Sequence, residues 1–197
     1  MTREGKVRAF ALAAAVIILA AGLTGLWLIK RKPELVAGHL GAPFSLVDQS
    51  GQPITEQALE GHPSLLYFGF THCPEVCPTT LYEMSGWFKT LGSEAKDLRA
   101  FFVSVDPERD TPEVMKGYVT AFGDRITGIT GSPSEIQKVI TGWRIYAVKV
   151  PQPGGDYVMD HTASVMLLDR SGQFSGTISY GEKTDVALNK IRRLLAE

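Results

Sequence analysis

Two cysteines, Cys73 and Cys77, stand four positions apart in Thr71-His72-Cys73-Pro74-Glu75-Val76-Cys77-Pro78, and the 197-residue chain has no others. A bridge between such neighbours would close too small a loop to stabilise a fold through chain entropy. Chemistry explains the pair better, although a cysteine also serves as a small buried hydrophobe. Pro78 suits the first turn of a helix, where a missing N–H costs nothing. Unpaired backbone N–H groups and the helix dipole at Cys77 would favour thiolate over thiol. One helical turn brings residues four apart within about 5–6 Å at Cβ, close enough for two sulfurs to grip one metal ion. A disulfide is the alternative if the loop geometry permits. The spacing differs from the two-residue gap of redox motifs and most zinc knuckles, and no four ligands group together as structural zinc requires.

Two sulfurs leave a soft cation short of ligands. Thiolates select Cu(I), and imidazole suits copper in either oxidation state. Of the four histidines, His39 follows a linker and His62 precedes Pro63, and both read as surface residues. His72 adjoins Cys73, but next-door side chains point apart. His161 lies in Asp156-Tyr157-Val158-Met159-Asp160-His161-Thr162, read as a loop ahead of a hairpin. A topology that sets this loop against the cysteine loop makes His161 the candidate third ligand; a core or surface histidine is the alternative. Asp160 would either orient the ring or cap the next turn. The Asp106-Pro107-Glu108-Arg109-Asp110 run reads as a solvated charged turn or a partner surface, outside any site.

The elements that must position these residues follow from periodicity. Residues 44–54 suggest a hairpin around Ser50-Gly51. Ser64–Phe70 and Ala100–Val105 are continuous apolar runs, expected as strands buried on both faces. Leu81, Met84, Phe88 and Leu91 mark a helix over 79–91. Thr111-Pro112 and Ser132-Pro133 open two more. A strand over 146–150, a hairpin over 164–180 and a helix over 184–195 complete the order strand, helix, strand, helix, helix, strand, hairpin, helix. Alternation implies a parallel core, and the closing hairpin makes the sheet mixed. The expected fold class is α/β, a thioredoxin-like mixed sheet flanked by helices. The cysteines then sit at the carboxyl end of the first core strand, where open α/β sheets bind ligands.

Composition sets the wider frame. With 44% hydrophobic residues and a net charge of −1, the chain is neither mainly disordered nor a basic nucleic-acid binder. The average conceals a split. Residues 1–33 carry six Lys/Arg against one Glu, a charge of +5, leaving 14 bases and 20 acids, −6, for the rest. Ala9–Ile29 has no charged residue, and about 20 such residues cross a bilayer core. The expected organisation is a basic tail and transmembrane anchor over 1–33, a linker over 34–42, and one domain over 43–197. Trp27 and Lys30-Arg31-Lys32 read as an interface anchor rather than a cleavage site. The short basic tail points to a single-pass protein of a bacterial inner membrane with its domain in the periplasm.

Three stretches in order, Gly69-Phe-Thr-His-Cys73-Pro-Glu-Val-Cys77-Pro, Val103-Ser-Val-Asp-Pro-Glu-Arg-Asp-Thr-Pro112 and Asp156-Tyr-Val-Met-Asp-His161-Thr, resemble the Sco/SenC family from about Pro43 onward. The resemblance implies a thioredoxin-like fold, copper as Cu(I) and/or Cu(II) on Cys73, Cys77 and His161, and a single N-terminal anchor. It also implies a role in assembling the dinuclear copper A centre of cytochrome c oxidase subunit II, with copper from an unnamed donor. An alternative is a thiol-disulfide oxidoreductase that reduces the cysteines of that subunit, with Cys73 attacking and Cys77 resolving. A peroxidase of related fold would need an arginine beside its cysteine, and the sequence places none there.

Overall fold

The structure is a computed structural model that describes residues 40–197, which form one compact unit. The tail, the apolar stretch Ala9–Ile29, His39 and the linker up to residue 39 lie outside the described residues. No helix among the described residues is long and apolar enough to cross a membrane.

Seven strands form one sheet, ordered β2(Pro53–Thr55), β1(Ser45–Asp48), β5(Ile126–Thr130), β4(Arg99–Ser104), β3(Ser64–Gly69), β8(Val165–Leu168), β9(Phe174–Ile178). The middle three run parallel, and the flanking pairings are antiparallel. Among the described residues four α-helices accompany them: α1(Val76–Leu91), α2(Pro112–Thr120), α3(Pro133–Gly142) and α4(Thr184–Leu195). Every residue of β3 is buried, as its unbroken apolar run requires. Thr111 and Ser132 cap α2 and α3, their hydroxyls accepting the N–H groups of Val114 and Glu135. The mixed sheet flanked by helices is the expected thioredoxin-like arrangement.

Three elements depart from the sequence reading. β5 is an additional strand between α2 and α3. Its Ile-Thr-Gly-Ile-Thr has weak strand signals, because Gly128 lacks the side chain that would complete an alternation. Gly128 instead lets the strand approach α2, where a Cβ would meet Met115 and Val119 at 3.2 Å. Next, α1 begins at Val76 rather than Thr79, so Cys77 and Pro78 lie within its first turn. Pro78 sits among the positions whose N–H groups have no helical partner, so the helix tolerates it. Lastly, the segment before the closing hairpin is no loop. β6(Ala147–Pro151) and β7(Tyr157–His161) pair antiparallel as a separate two-stranded sheet, reversing through Gly154 and Gly155, both at positive φ.

Candidate metal centre

β3 ends at Gly69 and hands the chain to Phe70–Glu75, a short loop that enters α1. Cys73 sits in that loop, half-buried, and Cys77 is fully buried in the first turn of α1. The backbone N–H of Cys77 donates to Cys73 Sγ at 3.3 Å. The unpaired helix N–H therefore serves Cys73, which corrects the expectation that Cys77 is the residue favoured as thiolate. A hydrogen bond from the Cys77 thiol holds the Cys73 thiol well below its ordinary range; burial opposes this, and His161 and the N–H groups of Cys77 and Glu75 reinforce it. The same sulfur contact, together with burial, pushes the Cys77 thiol up. The two sulfurs titrate as one unit, with the first proton leaving from Cys73.

His161 closes β7, opposite Ala147 of β6. Its Nδ1 lies 2.9 Å from the carbonyl oxygen of Thr162. A carbonyl only accepts, so Nδ1 donates there, and Nε2 is the ring nitrogen that faces the sulfurs. Nε2 stands 3.4 Å from Cys77 Sγ. Phe70 meets the imidazole edge-on at 5.7 Å and 90°, and Tyr67 lies at 6.4 Å. Orientation thus comes from Thr162 and two aromatic rings. Asp160, weighed as the orienting partner, is exposed. Alternation along a strand turns neighbouring side chains to opposite faces, which takes Asp160 away from the ring.

The ligand atoms of Cys73, Cys77 and His161 all lie within 4.8 Å of one another. Residues 84 positions apart therefore converge, as the topology argument anticipated. His72 remains outside: half its side chain is exposed, and its ring meets Thr71 Oγ1. His62 is half-buried beside Phe101 and Ser64, far from a bare surface residue but apart from the sulfurs.

The turn after β4 overturns the solvated-turn reading. Asp106 and Asp110 are 1% and 0% exposed. Asp110 accepts hydrogen bonds from Thr71 Oγ1 at 2.7 Å, Thr71 N at 3.2 Å and Ser104 Oγ at 2.6 Å, tying the cysteine loop to the end of β4. Burial raises its carboxyl above the usual range, against the pull of Ser104 and Thr71. Composition alone argued for solvent, because nothing in a run of charges announces that its donors lie 39 residues away. Thr71 spends its hydroxyl on Asp110, which leaves it unfit to activate a peroxidatic cysteine. Gly69 is the other residue that sequence reasoning missed. A Cβ there would lie 2.8 Å from Cys77 Sγ and 2.6 Å from the Phe102 ring.

Two cysteine sulfurs, that of Cys73 partly open to solvent, and one imidazole nitrogen form a donor set suited to a soft metal ion. Comparison with known proteins points the same way. The SCO1/SenC family profile matches residues 32–196. Protein SCO2, mitochondrial, of Saccharomyces cerevisiae is 38% identical over 158 residues, covering 78% of this chain and 52% of that protein. The SCO2-like protein of Rickettsia felis is 34% identical over 173 residues, covering 81% of this chain and 84% of the relative. The chain spans only about half the length of the yeast relative. Among solved structures, Bradyrhizobium japonicum ScoI with copper bound superposes with a TM-score of 0.73 at 46% identity, covering 79% of this chain and 99% of that one. Fold, site and matched length agree: the chain belongs to the SCO1/SenC family.

Proposed function

We propose that the protein is a copper metallochaperone. It carries copper on Cys73, Cys77 and His161 and delivers it to cytochrome c oxidase subunit II for the dinuclear copper A centre. One observation carries the reading: two sulfurs and one imidazole nitrogen, from distant parts of the chain, lie within 4.8 Å of one another. The copper-bound relative of the same fold supports the choice of ion. A three-ligand site with one half-exposed sulfur can release its cargo by exchange. An incoming thiolate replaces one ligand at a time, and the ion is never free. Ala9–Ile29 would tether residues 43–197 to a bacterial inner membrane on the periplasmic side, raising the effective concentration at a membrane-bound acceptor. The test is a Cu(I) titration of the reduced protein. One equivalent should bind in wild type, and affinity should fall by at least a hundredfold in Cys77→Ser. Binding unchanged in both Cys77→Ser and His161→Ala overturns the proposal.

A second reading rests on the inequality of the two sulfurs. Cys73 is half-exposed and ionises readily; Cys77 is buried beside it. That is the arrangement of an attacking and a resolving thiol. The Cys73 thiolate would attack a disulfide of the acceptor and form a mixed disulfide. Cys77 would then displace it, leaving the acceptor as a dithiol and this protein oxidised. The discriminating measurement is reduction of an oxidised acceptor by the metal-free dithiol protein. Activity retained in His161→Ala supports this role, and no reduction removes it.

A further inference from the structure

The β6–β7 hairpin that carries His161 pairs with no strand of the seven-stranded sheet. Ala147, Val158 and Met159 pack against the core, and the Tyr146–Thr162 hydrogen bonds close the base of the hairpin. Its far end is held by side chains, and all of them reach one place, the turn between β4 and α2. Tyr157, the first residue of β7, donates its hydroxyl to Asp106 Oδ1 at 2.7 Å. The Arg109 guanidinium carbon lies over the Tyr157 ring, 3.7 Å from its centre. Its Nη1 donates to the Tyr157 carbonyl and to Asp156 Oδ1, both at 3.0 Å, while its Nε donates to Asp106 Oδ2. Lys149 of β6 pairs with Glu108 at 2.6 Å and its Nζ lies 4.6 Å from the centre of the Tyr157 ring.

These contacts differ in weight. Asp156, Glu108 and Lys149 are well exposed, so solvent and salt screen them. Asp106 is buried and Arg109 is only 18% exposed, so their pair, with Tyr157 seated on both, is the strong part. Arg109 also lies over the Phe70 ring at 5.9 Å, and Phe70 in turn meets the imidazole of His161 at 5.7 Å. A packed line thus runs from the turn to the third ligand.

We propose that Asp106, Arg109 and Tyr157 form a catch on the hairpin, making Arg109 and Tyr157 positioning residues for His161. With the catch closed, Nε2 stays aimed at the sulfurs. With it open, the hairpin pivots on its base, the imidazole leaves the ion first, and the cargo remains on two thiolates for the acceptor to take. The copper step of this inference rests on the metallochaperone reading; the positioning of the hairpin does not.

The experiment compares wild type, Arg109→Met, Arg109→Lys and Tyr157→Phe in the full chain. In the metal-free protein, Arg109→Met should raise hydrogen exchange of the β6–β7 amides about tenfold and leave β3 and β4 unchanged. Loaded with Cu(I), it should surrender the ion to bicinchoninate about tenfold faster. Loaded with Cu(II), it should lose the nitrogen coupling of His161 from the electron paramagnetic resonance spectrum. Arg109→Lys should restore part of each effect, because lysine keeps the Asp106 pair but cannot also reach Tyr157 and Asp156 in a planar fork. Tyr157→Phe should act in the same direction as Arg109→Met. In a His161→Ala background, Arg109→Met should accelerate release no further. Unchanged hairpin exchange overturns the catch. Equal acceleration with and without His161 overturns its action through the imidazole. Absence of copper binding in wild type refutes the metallochaperone reading alone, since the exchange result still decides whether the catch exists.

Discussion

Replacing Gly69 by alanine puts one methyl group where the strand and the site share space. The new Cβ would stand 2.6 Å from Phe102 Cε2 and 2.8 Å from Cys77 Sγ. Comfortable contact is about 3.5–4.0 Å, so the sulfur must retreat by roughly 0.7–1.2 Å if the strand holds its place. The strand is well fixed. Gly69 pairs with Ser104 of β4, and its carbonyl accepts from Val105 N at 2.8 Å. Overpacking of this kind costs about 1–3 kcal/mol. For a domain of this size that lowers the melting temperature by roughly 2–12 °C, at about 2–4 °C per kcal/mol. A retreat beyond about 0.5 Å exceeds what a preorganised site tolerates. Copper affinity should therefore fall at least tenfold, which is about 1.4 kcal/mol. Gly86→Ala is the control: it lies on the exposed side of α1 with no neighbour within 4 Å of the added methyl, and should stabilise by about 0.5–1 kcal/mol. Calorimetry and competitive Cu(I) titration read both quantities. A Gly69→Ala protein with unchanged melting temperature and affinity would refute the claim that this glycine seats the sulfur.

Two further outcomes follow from the electrostatics. Cys73 is held low chiefly by the Cys77 thiol, so iodoacetamide should modify Cys73 below neutral pH while Cys77 resists. Cys77→Ala should move the midpoint of that reaction up toward the ordinary thiol value of about 8.5, and an unmoved midpoint would contradict the assignment. Asp110→Ala strips the acceptor from Thr71 and Ser104, and should cost about 2–4 kcal/mol in urea unfolding with little change in slope. The folded carboxyl is raised, so its proton-linked contribution to stability is complete below the ordinary carboxyl range and is lost as pH rises through the folded value. Asp110→Asn should remove that loss and flatten the stability profile between the ordinary carboxyl range and neutrality. A wild-type profile already flat there would contradict the raised carboxyl.

The legible parts of the sequence were those in which one local signal sufficed. The apolar run of β3, the caps Thr111 and Ser132 and the terminal helix all announce themselves within a few residues. So does the cysteine pair beside Pro78. His161 was reachable through topology, because the first strand and the segment before the last hairpin must meet. What escaped depends on distant partners. Asp106 and Asp110 look solvated until Tyr157, Thr71 and Ser104 are brought to them. β5 is a strand because β1 and β4 flank it, while its own composition barely favours one. Gly69 could not be distinguished from any other glycine near a strand end until the sulfur stood beside it.

The stretch from Ser104 to Asp110 works as a shared bracket. One end bolts down the loop bearing Cys73, through Asp110 and Thr71; the other grips the arm bearing His161, through Asp106 and Arg109. No member of it belongs to the donor triad, yet both halves of that triad take their bearings from it. Anyone transplanting the centre into another scaffold, or splicing two relatives into a chimera, would have to carry this bracket along with the cysteine loop and the hairpin. Moved without it, all three donors would arrive and their spacing would not.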